Sequence, residues 1–263
     1  MARRLAMIGC GYIAGRIADA IGRGVLDYRL VALMDLEPGR CGRVAAAAGQ
    51  EPLIAGSLGE LLSAGPELVV EAASQEAVRM YGARVLEEGV DLVVLSVGAL
   101  LDPGVREGLL EAAERGGSRI YAPSGAVPGL DAVRAMRHAG IERLVLRTVK
   151  HPRSLGFREW SGGARLLYRG PAREAVKRYP FNVNVAAALS LAAGVEALVE
   201  IVADPSVDRN VHVVIVEGPA GRLELRAENV PSPENPKTSM LAALSVIELL
   251  RRLSGAGRLE VGT

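Results

Sequence analysis

Histidine is scarce in this chain, three in 263 residues, and His212 lies in the stretch that also holds every asparagine. Asn182 and Asn184 stand in Pro180-Phe181-Asn182-Val183-Asn184-Val185, Asn210 opens Asn210-Val211-His212, and Asn229 and Asn235 complete the set. Neutral hydrogen-bonding side chains gathered near a group that takes and returns a proton close to neutral pH suggest a polar small-molecule site. Each asparagine alone also suits a cap or a turn, and a histidine opening a strand also suits a structural role. His138 sits in the last turn of a predicted helix, where the dipole favours it, and His151 lies in a loop beside Lys150. Three scattered histidines and two distant cysteines make no metal-ligand spacing. No nucleophile–base pairing is visible either.

A second constellation lies at the N-terminus. Gly9-Cys10-Gly11-Tyr12-Ile13-Ala14 follows a predicted strand and opens a predicted helix. In that context G-x-G-x-x-A is a dinucleotide fingerprint. The first glycine permits the tight turn, the second lets backbone approach a pyrophosphate, and the small third residue lets helix and strand pack closely. Gly9, Gly11, Tyr12 and Ile13 are therefore candidate cofactor residues. Asp35 ends the next strand, where a carboxylate can accept from ribose hydroxyls, which favours NAD; it also suits a turn before Pro38-Gly39. Arg40 is near enough to accommodate a 2′-phosphate, which leaves NADP open. Two further loops at strand ends, carrying Ala73 and Ser74 and then Ser96 and Val97, offer small residues beside the nicotinamide half. Such residues equally suit tight strand-to-helix turns.

These residues need elements to hold them. Strand-length apolar runs at 5–8, 29–34, 68–72, 91–97 and 119–122 alternate with helical patterns at 12–24, 57–64, 75–89 and 102–116. Continuous apolar strands joined by helices mean a parallel sheet covered on both faces. The expected fold is α/β, a Rossmann-type doubly wound parallel sheet over residues 1–122. A second α+β domain with a mixed or antiparallel sheet, residues 123–236, would carry substrate binding, catalysis and oligomerisation. Its predicted elements are a helix at 129–139, a strand at 143–149, a helix at 184–197 and a hairpin whose arms, 211–217 and 222–228, flank Gly218-Pro219-Ala220-Gly221. A last helix, 237–254, is expected to pack back on the first domain. A net charge of +1 gives no electrostatic footprint for nucleic acid or a membrane surface. No apolar run has the length of a membrane span or a signal-peptide core, so a cytoplasmic location is expected.

The strings Val70-Glu71-Ala72-Ala73-Ser74, Ser96-Val97-Gly98-Ala99-Leu100, Ser124-Gly125-Ala126 and Asn182-Val183-Asn184-Val185-Ala186-Ala187 resemble the L-aspartate dehydrogenase family. Asn210-Val211-His212 and Asn235-Pro236-Lys237-Thr238-Ser239 extend the resemblance over nearly the whole chain. It implies NAD- or NADP-dependent oxidation of L-aspartate to iminoaspartate, which hydrolyses to oxaloacetate and ammonia and feeds pyridine nucleotide synthesis. It also implies that His212 is catalytic and that Ala126 and Asn184 contact the cofactor. Two positions depart from the family pattern: His151 stands where proline is expected, and Val213 follows His212 in place of an acidic residue or glutamine. A dicarboxylate substrate needs cations or donors at both ends. Lys150 and Lys237, two of only three lysines, are the first choices, with Asn182 and Ser124 beside them and Arg147 and Arg153 behind. A homodimer paired through the second domain's sheet is expected. Two other readings fit the same residues, a two-domain reductase of another imine or carbonyl and a non-catalytic nucleotide-binding sensor.

Overall fold

The computed structural model describes residues 2–179, 184–232, 238–255 and 259. The chain divides into two compact units, one made of residues 1–123 and 243–260, the other of residues 124–242 and 261–263. The first unit begins with β1 (Arg3–Ile8), α1 (Tyr12–Gly22), β2 (Tyr28–Met34), α2 (Gly39–Ala48), β3 (Leu53–Ile54) and α3 (Leu58–Ser63). It continues with β4 (Leu68–Glu71), α4 (Gln75–Glu87), β5 (Asp91–Val94), α5 (Pro103–Gly116) and β6 (Ile120–Tyr121). The six strands run parallel in the order β3-β2-β1-β4-β5-β6. That order reverses between β1 and β4, and ligands of doubly wound sheets bind at the strand C-termini beside such a reversal. Leu68, Val69 and Val70 have no exposed surface, as a strand covered on both faces requires.

The second unit holds α6 (Leu130–Arg137), β7 (Arg143–Lys150), β8 (Arg165–Pro171), α7 (Ala172–Arg178), α8 (Asn184–Ala193) and β9 (Leu198–Ala203). The hairpin of β10 (Asn210–Gly218) and β11 (Gly221–Asn229) follows. Its mixed sheet has the order β11-β10-β7-β9-β8, with β7 and β9 parallel and the other neighbours antiparallel. The last element among the described residues is α9 (Met240–Leu253). From Ala243 onward α9 belongs to the first unit. There Val246 and Leu250 are fully buried with Leu5, Met7, Ile17 and Tyr28, and the Tyr28 hydroxyl donates to the Leu250 carbonyl at 2.8 Å.

The sequence reading has to be corrected at several elements. It missed α2, β3, α7, β8 and β9, and it extended the fifth strand to residue 97 although β5 stops at Val94 and Val97–Leu101 is a 3₁₀ turn. The buried side of α2 is Cys41, Val44 and Ala48, too small to print a helical stripe of large apolar residues. Among the described residues no helix is long and apolar enough to cross a membrane.

Candidate functional site

In the first unit, the loop from β1 to α1 bends at Gly9, whose φ is +94°. A Cβ there would lie 2.7 Å from the Ala72 carbonyl carbon, so only glycine lets this turn rest against the loop after β4. Gly11 is different. It caps α1 with extended backbone any residue adopts, and a Cβ on it would meet nothing within 4 Å. No internal contact demands glycine there. The bare backbone faces open space at a helix N-terminus, where amide groups and dipole favour an anion. That arrangement fits the pyrophosphate of a dinucleotide.

Asp35 is tied into the same loop. One carboxylate oxygen accepts from Cys10 N at 2.6 Å and the other from Glu37 N at 2.8 Å. Both oxygens keep lone pairs for ribose hydroxyls. Arg40 pairs with Glu37 at 2.6 Å on the surface. Tyr12 and Ile13 are half-buried in the first turn of α1, and Ala73 is exposed in the loop after β4. Ser74 caps α4, its hydroxyl accepting from Ala77 N at 3.1 Å. Ser96 turns inward instead, where its amide and hydroxyl both donate to Glu71, and Val97 is buried beside it. Cys10 and Cys41 lie with their sulfurs 2.8 Å apart, and burial pushes both thiols up, so they sit as packed thiols.

In the second unit, strand alternation and register gather one polar patch. Thr148 lies opposite His212, His212 opposite Ala227, Lys150 opposite Ala203 and Asn210 opposite Asn229. Paired residues share a face and alternate residues return to it, so Thr148, Lys150, Asn210, His212 and Asn229 all project to one side at one end of the sheet. Helix α6 packs on that side: the backbone of Gly129, φ +77°, lies so near Leu225 that a Cβ would meet its Cδ1 at 2.5 Å.

His212 is 2% exposed and Lys150 3%. The imidazole Nδ1 and the Thr148 hydroxyl share a hydrogen bond of 3.0 Å, the one bond the ring makes among the described residues. Burial, and then the charge of Lys150, pushes His212 down to about 3, so the ring is neutral at physiological pH. Burial lowers Lys150 to about 8, which leaves it mostly charged near pH 7. Neighbouring amides complete the patch: Asn210 Nδ2 donates to Ser239 Oγ at 3.3 Å, and Asn229 Nδ2 donates to the Ala126 carbonyl at 2.8 Å. A neutral, oriented imidazole beside a buried ammonium is equipped for proton transfer on an anionic substrate.

Residues 131–253 match the family model described as "Aspartate dehydrogenase, C-terminal", and residues 9–123 the model described as "Homoserine dehydrogenase, NAD binding domain". The chain is 42% identical over 272 residues to an L-aspartate dehydrogenase of Methanosarcina barkeri, with 99% of both chains covered. The chain belongs to the L-aspartate dehydrogenase family. An L-aspartate dehydrogenase of Methanothermobacter thermautotrophicus is 46% identical over 259 residues, covering 98% of this chain and 97% of the relative. The aspartate dehydrogenase structure from Thermotoga maritima superposes with a TM-score of 0.79 at 27% identity, with all of both chains covered.

Within this family member, the sequence-predicted residues fall out unevenly. His212 and Lys150 share the patch, and Ala126 is joined to it through Asn229. Asn184 is half-buried at the first residue of α8, and Ser124 is half-buried at the start of the second unit. Asn182 and Lys237 lie outside the described residues. Arg147 is on the opposite face of β7, paired with Glu200 at 2.7 Å, and is not a substrate candidate. Arg153 is exposed, and its amide donates to the His151 ring at 3.2 Å, so His151 caps the short turn Pro152–Leu155. His138 is the C-cap of α6. Thr148 escaped the sequence reading, although its place two residues before Lys150 on a strand puts both on one face. Glu71 stands outside the site candidates that the sequence suggests, although a carboxylate ending the run Leu68-Val69-Val70 is itself a signal.

Proposed function

We propose that this chain is an NAD(P)-dependent L-aspartate dehydrogenase that deaminates L-aspartate oxidatively to iminoaspartate and then to oxaloacetate and ammonia. The observation that carries the reading is the buried patch in which the His212 ring, hydrogen-bonded to Thr148, shares one face of the sheet with Lys150. Gly9, Gly11, Tyr12, Ile13, Asp35, Ala73, Ser74, Val97, Ala126 and Asn184 would hold the dinucleotide, with Ser96 supporting that edge through Glu71. A bound nicotinamide supplies the acceptor for the hydride that leaves the substrate Cα.

The protein's own groups do the rest. Lys150 pairs with a substrate carboxylate, with Ser124, Asn182 and Lys237 as further partners, and so fixes the Cα that must lose hydride. The substrate reacts as the free amine, so its ammonium first gives up a proton. Loss of hydride from that amine leaves an iminium. Water then adds to the C=N bond, and neutral His212 takes the proton that this water sheds. In the tautomer in which Nδ1–H donates to the Thr148 hydroxyl, Nε2 is the basic nitrogen. The proton returns to nitrogen as the C–N bond breaks, releasing ammonia and oxaloacetate. The iminoaspartate formed before hydrolysis is a precursor for pyridine nucleotide synthesis, and we place the enzyme there, in the cytoplasm.

We also propose a homodimer built through the outer face of the second unit's sheet. There Arg147, Arg169 and Glu200, then Arg143, Arg222 and Glu217, form ion pairs around Val213 and Ile215. Light scattering tests it, and a monomer mass removes it.

The activity test follows NADH and NADPH formation from L-aspartate at mildly alkaline pH. Turnover is expected with aspartate and not with alanine or glutamate, and His212→Ala is expected to lower kcat by about 10²–10⁴-fold. Turnover of another imine or carbonyl substrate, without aspartate turnover, would point to the rival reductase. Cofactor binding with no turnover of any of these would point to a sensor.

A further inference from the structure

We propose that Glu71 is a positioning residue that fixes the nicotinamide end of the cofactor site by locking the loops after β4 and β5 to each other. The inference rests on the dinucleotide reading of the first unit and goes beyond it, since Glu71 reaches the cofactor only through other groups.

Glu71 is the last residue of β4 and is 1% exposed. Its Oε1 accepts from Ala73 N at 2.9 Å and from Ser96 Oγ at 2.8 Å, and its Oε2 accepts from Ser96 N at 2.9 Å. Ala73 belongs to the loop after β4 and Ser96 to the loop after β5, so one carboxylate spans two adjacent strand ends. A third loop leans on the first of these, because the Gly9 turn lies against the Ala72 backbone too closely to admit a Cβ. The ends of β4 and β5 are thus joined by the Glu71 carboxylate, and the neighbouring β1 loop packs on the first of them through backbone.

A carboxyl in this position is costly. Leu68, Val69 and Val70 before it are fully buried, and an apolar residue would continue the strand. Burial pushes the Glu71 carboxyl above its ordinary range, while donors from Ser96, Ala73 and Ser74 pull it back. Such a group persists only when all its acceptor sites are matched, and here the donors are loop amides that otherwise need partners of their own. Those loops lie on the β4–β5 side of the strand-order reversal, whereas Asp35 and the β2 end lie on the other side. The two halves of a dinucleotide divide across that reversal. Disturbing Glu71 should therefore loosen the nicotinamide half and spare the adenosine half.

The test compares NADH and ADP-ribose binding by fluorescence and calorimetry in the wild type, Glu71→Gln and Ser96→Ala. Glutamine keeps one acceptor oxygen but presents N–H groups to an existing donor. We expect NADH affinity to fall about tenfold in Glu71→Gln, as loss of a hydrogen bond to a charged group implies. ADP-ribose affinity should stay within about twofold. Ser96→Ala should shift NADH in the same direction by less, and it decides the matter if Glu71→Gln does not fold. Equal losses for both ligands, or no loss for either, would overturn the proposal while leaving the dinucleotide reading standing. A wild type that binds neither ligand would remove both.

Discussion

At the scale of the residue, the chemistry depends on two titratable groups displaced from their ordinary values in the same direction. Lys150 sits at about 8 because burial disfavours its charge, and His212 at about 3 because burial and Lys150 both disfavour its. If protonated Lys150 binds a carboxylate, kcat/KM for aspartate should fall as pH rises through about 8. Lys150→Arg should flatten that limb, since a guanidinium does not titrate there. Lys150→Met should raise the aspartate KM about tenfold or more while NADH affinity holds. A limb unchanged in Lys150→Arg would assign it to another group. The same shift on His212 has a stability consequence. Between about 3 and the ordinary 6.5 the unfolded chain binds the proton that the folded chain refuses. Stability conferred by neutral His212 is therefore complete above about 6.5 and is lost as pH falls toward about 3, by at most about 1.4 kcal/mol per pH unit. His212→Gln should remove that part of the slope in urea unfolding run across the window. An unaltered slope would mean that the ring protonates without penalty in the fold.

At the scale of the element, two glycines two residues apart in one loop serve different ends, and substitution separates them. Gly9→Ala places a methyl group 2.7 Å from the Ala72 backbone at a φ of +94°. It should lower the melting temperature and cofactor affinity together. Gly11→Ala meets nothing within 4 Å. It should leave the melting temperature within a few degrees and weaken NADH binding alone, by roughly tenfold. Equal thermal losses would show that Gly11 serves the fold and not a ligand. The fingerprint was legible because its meaning is local, a strand, a turn and a helix in sequence. The place of Asp35 just past the end of β2 was legible for the same reason. The partnership of Thr148 with His212 was not, because it is set by antiparallel register across 64 residues that no local pattern encodes. Strand β9 escaped for another reason. Its burial alternates along Leu198–Ala203, but its residue types are apolar on both sides except Glu200, so the period of two is hidden.

At the scale of the whole molecule, the first unit is not contiguous in sequence. Residues 124–242 intervene between its sheet and the helix that closes its core. The inward side of α9 supplies Val246 and Leu250 to the cluster around Leu5, Met7 and Tyr28, and the Tyr28 hydroxyl ends on the Leu250 carbonyl. Burying each such side chain contributes roughly 1.5–3 kcal/mol, a large share of a margin of about 5–15 kcal/mol for a typical domain. A fragment of residues 1–123 should therefore hold its strands only loosely, with the groove vacated by α9 open to an apolar dye. Addition of a synthetic peptide of residues 238–255 should close the groove, displace the dye and restore NADH binding. The same peptide with Leu250 and Val246 both changed to Ser should fail. A fragment of residues 1–123 that unfolds cooperatively and binds NADH without the peptide would show that the sheet carries its own core. In that case α9 would be an accessory to the unit and not part of what makes it fold.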